Sequence, residues 1–248
     1  MRRIKLLIEY NGDGYVGWQI QRTGKSIQGE IERSLLEIYN NNIQLTVAGR
    51  TDAGVHALGQ VAHFDLYDKK IPAEQICKAL NFNLNKRKNK ITILKSVVER
   101  DEFHARFSAK KKTYLYRIYN RESISYLHDK NSWFFPRELN LERMNNAAKL
   151  LLGRHDFNAF RSTHCQAKNS IRTIESIVIK KKRKLISIRI KGKSFLHNQI
   201  RIIVGSIVMV GENKWSTNSI KSILASRDRT KAGPTAPAHG LHLEKINY

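Results

Sequence analysis

Apolar and polar residues alternate at the start of the chain, with Ile4, Leu6, Ile8 and Tyr10 set between Arg3, Lys5 and Glu9, and this period of two predicts a strand over Arg3 to Tyr10. From Ser26 the period lengthens to that of a helix, through Ile27, Ile31, Leu35 and Ile38, with Ser26 as the N-cap. Gly29 stands where a capping box would need Glu or Gln, and Glu30 comes one residue late, so the helix rests on its apolar stripe. Leu45 to Ala48 and Ala57 to Leu66 read as strands, Pro72 to Leu80 as a helix with Pro in its first turn, and Ile91 to Val98 as a strand. The first half is therefore βαββαβ. From Thr113 the order recurs: a strand to Tyr119, a helix over Leu141 to Leu152, strands at Ile171 to Lys180 and Leu185 to Lys191, a long helix from Phe195, and a last strand at Leu241 to Ile246. The pattern predicts an α+β protein of two ferredoxin-like lobes, 1–105 and 106–248, with mainly antiparallel sheets and a central cleft between them that suits a nucleic-acid stem. There is no residue-level repeat, and an extra helix near Ser219 to Ala225 breaks the parallel.

Charge sharpens this picture. The 248 residues carry 45 Lys and Arg against 21 Asp and Glu, a net charge of +24, and such a surface attracts polyanions, nucleic acid first among them. A chain rich in Lys, Ile and Asn also reflects AT-rich codons, so part of the excess has a compositional origin. The longest apolar stretch, Ile202 to Val210, is interrupted by Gly205 and Ser206 and is far shorter than the roughly 20 residues of a membrane span. Lys5 and Glu9 break the apolar run of the amino terminus, which excludes a secretory signal and points to the cytoplasm. Cys77 and Cys165, far apart, suit packing rather than a disulfide scaffold or a thiolate site. The nine histidines show no ligand spacing, so no metal is expected, and His56 and His63 read as structural groups.

Four segments bear on the chemistry. Gly49-Arg-Thr-Asp-Ala-Gly-Val-His56 sets Asp52 on a loop of small residues beside Arg50. An aspartate is ionised at pH 7, a neighbouring arginine favours that anion, and Gly49, Ala53 and Gly54 leave room for a planar substrate, so Asp52 reads as a nucleophile. The plain alternative is a tight turn held by an Asx-type hydrogen bond. Gly12-Asp-Gly14-Tyr-Val-Gly17 fits the dinucleotide-binding pattern, but the helix that should start within the glycines begins only at Ser26, so the context refuses a nucleotide cofactor. Phe103 to Tyr116 joins a basic run to aromatic residues at alternate positions, an arrangement that holds phosphates and stacks bases, although Tyr114 or Tyr116 could equally be core. Arg201 sits among apolar neighbours in the helix from Phe195, and a buried guanidinium demands a carboxylate.

The Gly49 to His56 segment resembles, without a change, the signature of the tRNA pseudouridine synthase A family. Tyr10, Gly12, Gly17, Trp18 and Gln19 match the family's opening, with Asn11 where Asp is usual. Phe195 to Ser206 and Arg229 to Leu243 match further stretches, while the Leu84-Asn85-Lys86 turn departs where Pro is commoner. The resemblance implies the pseudouridine synthase fold and the isomerisation of uridine at positions 38, 39 and 40 of the tRNA anticodon stem-loop, without a cofactor. It further implies that Asp52 is the nucleophile, that Arg50 and Arg201 hold it ionised and positioned, that Tyr114 packs on the target uracil, and that the enzyme is a homodimer gripping one tRNA. Without it, Glu212 or Glu175 would be an equal partner for Arg201. The rival readings are a catalytically silent tRNA-binding or folding protein and a metal-dependent nuclease using Asp52 as a ligand.

Overall fold

A computed structural model describes residues 1–67 and 70–248, which form two compact units: 1–110 with 242–248, and 111–241. In the first unit the order is β1 (Arg2–Tyr10), α1 (Ile27–Tyr39), β2 (Thr46–Val47), β3 (His56–Leu66), α2 (Ala73–Lys86) and β4 (Ile91–Glu99). Strand β1 lies between β3 and β4, antiparallel to both, and β2 pairs with the far edge of β3. That is the ferredoxin-like order. The last strand, β10 (Leu241–Asn247), runs parallel to β3 through His242 and Leu243.

The alternation in β1 does what its period requires: Ile4, Leu6 and Ile8 are fully buried. Helix α1 begins where Ser26 Oγ accepts the backbone N–H of Gly29 at 3.1 Å, and it ends at Asn40 in the left-handed conformation. Helix α2 runs to Lys86 rather than Leu80, because Leu84 continues the buried stripe of Ile76 and Leu80. Asn81 fixes α2 to β4 from both sides of its amide, donating to Ile93 O at 2.9 Å and accepting from Ile93 N at 2.8 Å.

The second unit contains β5 (Lys111–Asn120), β6 (Trp133–Phe135), α3 (Leu141–Lys149), β7 (Gly153–Asp156), β8 (Ile171–Lys182), β9 (Leu185–Gly192), α4 (Gln199–Gly211) and α5 (Ser219–Ser226). Strands β5, β9, β8 and β7 follow one another in an antiparallel sheet, and β6 runs parallel to the end of β5. Ile186, Ile188 and Ile190 of β9 form a fully buried row. Helix α4 is buried on nearly every face, and of its residues only Arg201 and Met209 reach intermediate exposure.

The sequence places the start of α4 at Phe195; the structure places it at Gln199. Asn198 is left-handed, with φ of 60°, and the Gln199 side chain caps the turn by accepting from Leu196 N at 2.8 Å. Apolar periodicity cannot see that break. Strands β6 and β7 carry too short or too polar a pattern to be read: Gly-Arg-His-Asp is a strand only because β8 lies beside it. Among the described residues no helix is long and apolar enough to cross a membrane.

Candidate active site

In the first unit, Asp52 lies on the loop between β2 and β3, and hydrogen bonds to neighbouring backbone fix that loop. Gly49 O accepts from Gln60 Nε2 at 2.8 Å, Thr51 O accepts from Trp18 N at 3.0 Å, and Asp52 O accepts from Val55 N at 3.1 Å. The buried Thr51 Oγ1 lies 2.6 Å from the hydroxyl of Tyr10. Burial pushes the Tyr10 phenol up to about 12, so it stays protonated and serves the loop as a hydrogen-bonding post.

The glycines that imitate a nucleotide-binding motif have a different use. A Cβ on Gly12 would lie 2.2 Å from Val55 O, and one on Gly17, whose φ is +106°, would lie 2.7 Å from Thr51 O. Gly12 N also donates to His56 Nδ1 at 3.0 Å. The 11–18 segment is thus pressed against the Asp52 loop, and only glycine permits the approach. Helix α1 begins well past these glycines, which leaves no helix N-terminus at the motif.

Exposure follows from this clamp. Thr51 is buried, Asp52 is half-buried, and Arg50 and Ala53 are exposed. Asp52 therefore reaches solvent from a loop with little freedom. Among the described residues Arg50 makes no ion pair, so the structure does not join its guanidinium to Asp52.

The histidines of β3 have structural partners. His56 is buried, accepts from Gly12, and stacks on His242 with ring centroids 4.7 Å apart. His63 accepts from Ala105 N at 3.2 Å, and burial first, then the charges of Arg3 and His104, lower its pKa to about 4. Among the described residues no group of three or more His, Cys, Asp or Glu is placed to hold a metal ion.

The second unit holds Tyr114 and Arg201. Tyr114, on β5, is 9% exposed and meets the Phe195 ring edge-on at 5.4 Å. Tyr116, two residues on, belongs to the core: it is fully buried, and its hydroxyl donates to Pro237 O at 2.8 Å. Gly240 passes so close that a Cβ there would lie 2.6 Å from the Tyr116 ring. Burial drives the Tyr116 phenol well above its ordinary range, with the charge of Arg201 pulling weakly the other way.

Arg201 is held by neutral oxygens of its own unit: Nε donates to Ala236 O at 2.7 Å and Nη1 to Asn198 Oδ1 at 2.9 Å. Ala236 N returns a bond to Arg201 O at 3.1 Å. The 232–237 loop lies against α4 because two glycines let it: a Cβ on Gly205 would sit 1.8 Å from Pro234 O, and one on Gly233 would sit 2.7 Å from Ser206 Cα. Two of the carboxylates that could have claimed Arg201, Glu212 and Glu175, are engaged elsewhere. Glu212 pairs with Arg137 and with Lys214 at 3.1 Å, and Glu175 pairs with Lys111 at 2.9 Å. Sequence reasoning had no sign of Gln60, Asn198 or the Ala236 carbonyl as positioning groups, since a carbonyl is present at every residue.

The predicted site residues thus divide between the units, Arg50 and Asp52 in the first, Tyr114 and Arg201 in the second. A family model described as tRNA pseudouridine synthase matches residues 6–108 and 147–248. Proteins named tRNA pseudouridine synthase A from Sinorhizobium fredii and Bartonella henselae are each 44% identical over 248 residues, covering the whole of both chains. One of the same name from Ehrlichia chaffeensis is 45% identical over 247 residues, covering 99% of this chain and all of its own.

Proposed function

We propose, from the premise that this chain belongs to the tRNA pseudouridine synthase family, that its targets are positions 38, 39 and 40 of the tRNA anticodon stem-loop and that Asp52 is its nucleophile. Membership makes the protein an isomerase that forms pseudouridine in tRNA, and it sets aside the silent RNA-binder and the metal nuclease. The reaction breaks the N1–C1′ glycosidic bond, turns the uracil and joins C5 to C1′. The C5 proton leaves and N1 gains one, so the product is an isomer of the substrate.

The observation that carries the reading is the half-buried Asp52 on a loop whose backbone is pinned on both sides. A nucleophile held in one place needs no reorganisation when an extruded nucleoside arrives. Three routes are open to its carboxylate: attack on C1′, attack on C6, or removal of a ribose proton. Arg201, its fork fixed by Ala236 and Asn198, holds the Asp52 anion in place, and Tyr114 packs on the uracil. Arg50, exposed and two residues from Asp52, adds positive potential at the mouth and meets the backbone beside the target. Extruding the base costs a few kcal/mol, which contacts from cationic side chains to flanking phosphates offset. We assign the working enzyme to the cytoplasm as a homodimer that grips one tRNA across both subunits.

Incubation with tRNA carrying tritium at uracil C5 tests this reading. Release without strand cleavage, and product confined to positions 38 to 40, is the expected result. Release from other positions would overturn the site assignment, and release by an Asp52→Ala protein would remove Asp52 from the chemistry. Sedimentation of the enzyme with and without tRNA checks the dimer.

A further inference from the structure

The tip of the β8–β9 hairpin carries Lys180, Lys181, Lys182, Arg183 and Lys184, five cations in succession, all exposed. Packing does not ask for them. The last buried residues of this hairpin are Ile179 and Ile186, and the rung beyond them adds only the half-buried Leu185. Among the described residues none of the five side chains makes an ion pair or a hydrogen bond. Arg183 is left-handed, with φ of 55°, which closes the two strands through a two-residue turn and projects the cations together. Successive residues of a strand point to opposite faces, so the cluster presents charge on both sides of the tip. Arg121 lines an open depression together with Lys181, Lys184, Glu122 and Glu138.

The tip also has a defined place relative to Tyr114. Tyr114 is paired with Ile190, and Tyr119 with Leu185, next to the turn. Five strand steps and the turn put the cluster about 20 Å from Tyr114 along the sheet. A duplex laid over that span carries on the order of ten phosphates. The cluster therefore cannot serve the target nucleotide. It can meet helical backbone several base pairs away, where released counterions supply the binding energy.

We propose that the β8–β9 tip is a second tRNA contact, a backbone clamp that engages the phosphates of tRNA helix outside the anticodon stem-loop. It rests on the function proposed above, since it takes the target base to lie at Tyr114. The clamp confers affinity for whole tRNA and leaves the chemical step alone.

The test uses the full chain with Lys180, Lys181, Lys182 and Lys184 changed together to Gln, and a companion with the same four changed to Arg. Both are assayed for tritium release on whole tRNA and on an isolated anticodon stem-loop hairpin. The Gln variant is expected to show a KM for whole tRNA raised by about tenfold, an unchanged kcat, and a salt dependence of binding shallower by about two to three in log-log slope. The Arg variant is expected to behave as wild type, and the hairpin to give equal KM with all proteins. Unchanged KM and salt slope on whole tRNA would show the tip to be a solvated surface and overturn the proposal. Equal loss on both substrates would also overturn it, by placing the contact within the stem-loop. A wild-type enzyme that released no tritium from positions 38 to 40 would instead defeat the functional reading on which the clamp depends, so the two failures are distinct.

Discussion

The two units fix their site residues by opposite means. Around Asp52 the hydrogen bonds act on the backbone, through Gly49 O, Thr51 O and Asp52 O, and glycines at 12 and 17 let a second loop press against it. At Arg201 the bonds act on the side chain itself, with Nε and Nη1 given to Ala236 and Asn198. The difference follows from the two tasks assigned to them. A carboxylate proposed to reach a carbon or a proton gains from a backbone that holds its loop still. A guanidinium that only orients a neighbour works best with its plane locked.

The largest effect should come from the group proposed to react. Asp52→Ala removes the proposed nucleophile but leaves every backbone bond of its loop in place, so tRNA affinity should persist while kcat falls by about 10⁴-fold or more. Equal losses in kcat and in tRNA binding would mean that Asp52 supports the loop rather than the reaction, and the contrast with Arg201 would disappear.

Arg201→Lys asks whether the locked plane matters. Lysine keeps the charge and loses the fork to Ala236 O and Asn198 Oδ1. We expect kcat to fall by about 10²-fold with KM for tRNA little changed, the pattern of an orienting group. If Lys served as well as Arg, charge alone would be enough and the fixed geometry would be incidental.

Gly205→Ala and Gly14→Ala compare close approach with backbone strain. A methyl on Gly205 meets Pro234 O, so the 232–237 loop must leave α4 and take the Ala236 carbonyl away from Arg201; about 2 kcal/mol of stability should be lost, with kcat falling alongside. Gly14 has φ of +87° but nothing within 4 Å, so Ala there should cost about 1 kcal/mol through strain alone and spare kcat. Chemical denaturation and steady-state kinetics of the two variants provide both numbers.

What could be read in advance is what local physics decides. Ser26 caps its helix and Ile4, Leu6 and Ile8 face the core because a hydroxyl and a period of two act over a few residues. The glycine pattern at 12, 14 and 17 was visible as a departure from the nucleotide-binding motif, but its use against Thr51 and Val55 depends on residues about forty positions away. The signature made Asp52 conspicuous. Two partners of Arg201 left no trace, since one is a backbone carbonyl and the other a common Asn. The apolar run from Phe195 suggested four residues of helix that the left-handed Asn198 excludes. Arg50 stood beside Asp52 in sequence, yet among the described residues it makes no ion pair in space.

The smallest effect tests whether the firmness of the Asp52 loop extends down β3 to His63. That histidine is buried, its Nδ1 accepts from Ala105 N, and it faces Arg3 and His104, with Asp65 acting in the opposite sense. Burial first, then the neighbouring Arg3 and His104, lower its pKa from 6.5 to about 4. Between those values the unfolded chain binds a proton that the folded chain refuses, so stability is intact above pH 6.5 and declines as the pH falls toward 4. The loss should be on the order of 1–2 kcal/mol, and His63→Gln, whose amide oxygen can accept from Ala105 N, should flatten it. The Gln60 and Thr51 bonds that fix the loop involve no group titrating in this window, so kcat for the folded enzyme should not follow the decline. Urea titrations at pH 7 and pH 5 on both proteins measure the first effect, and single-turnover tritium release at the same pH values measures the second. A kcat that fell with stability, and recovered in His63→Gln, would show that the loop borrows its rigidity from the far end of the strand rather than from its own clamp.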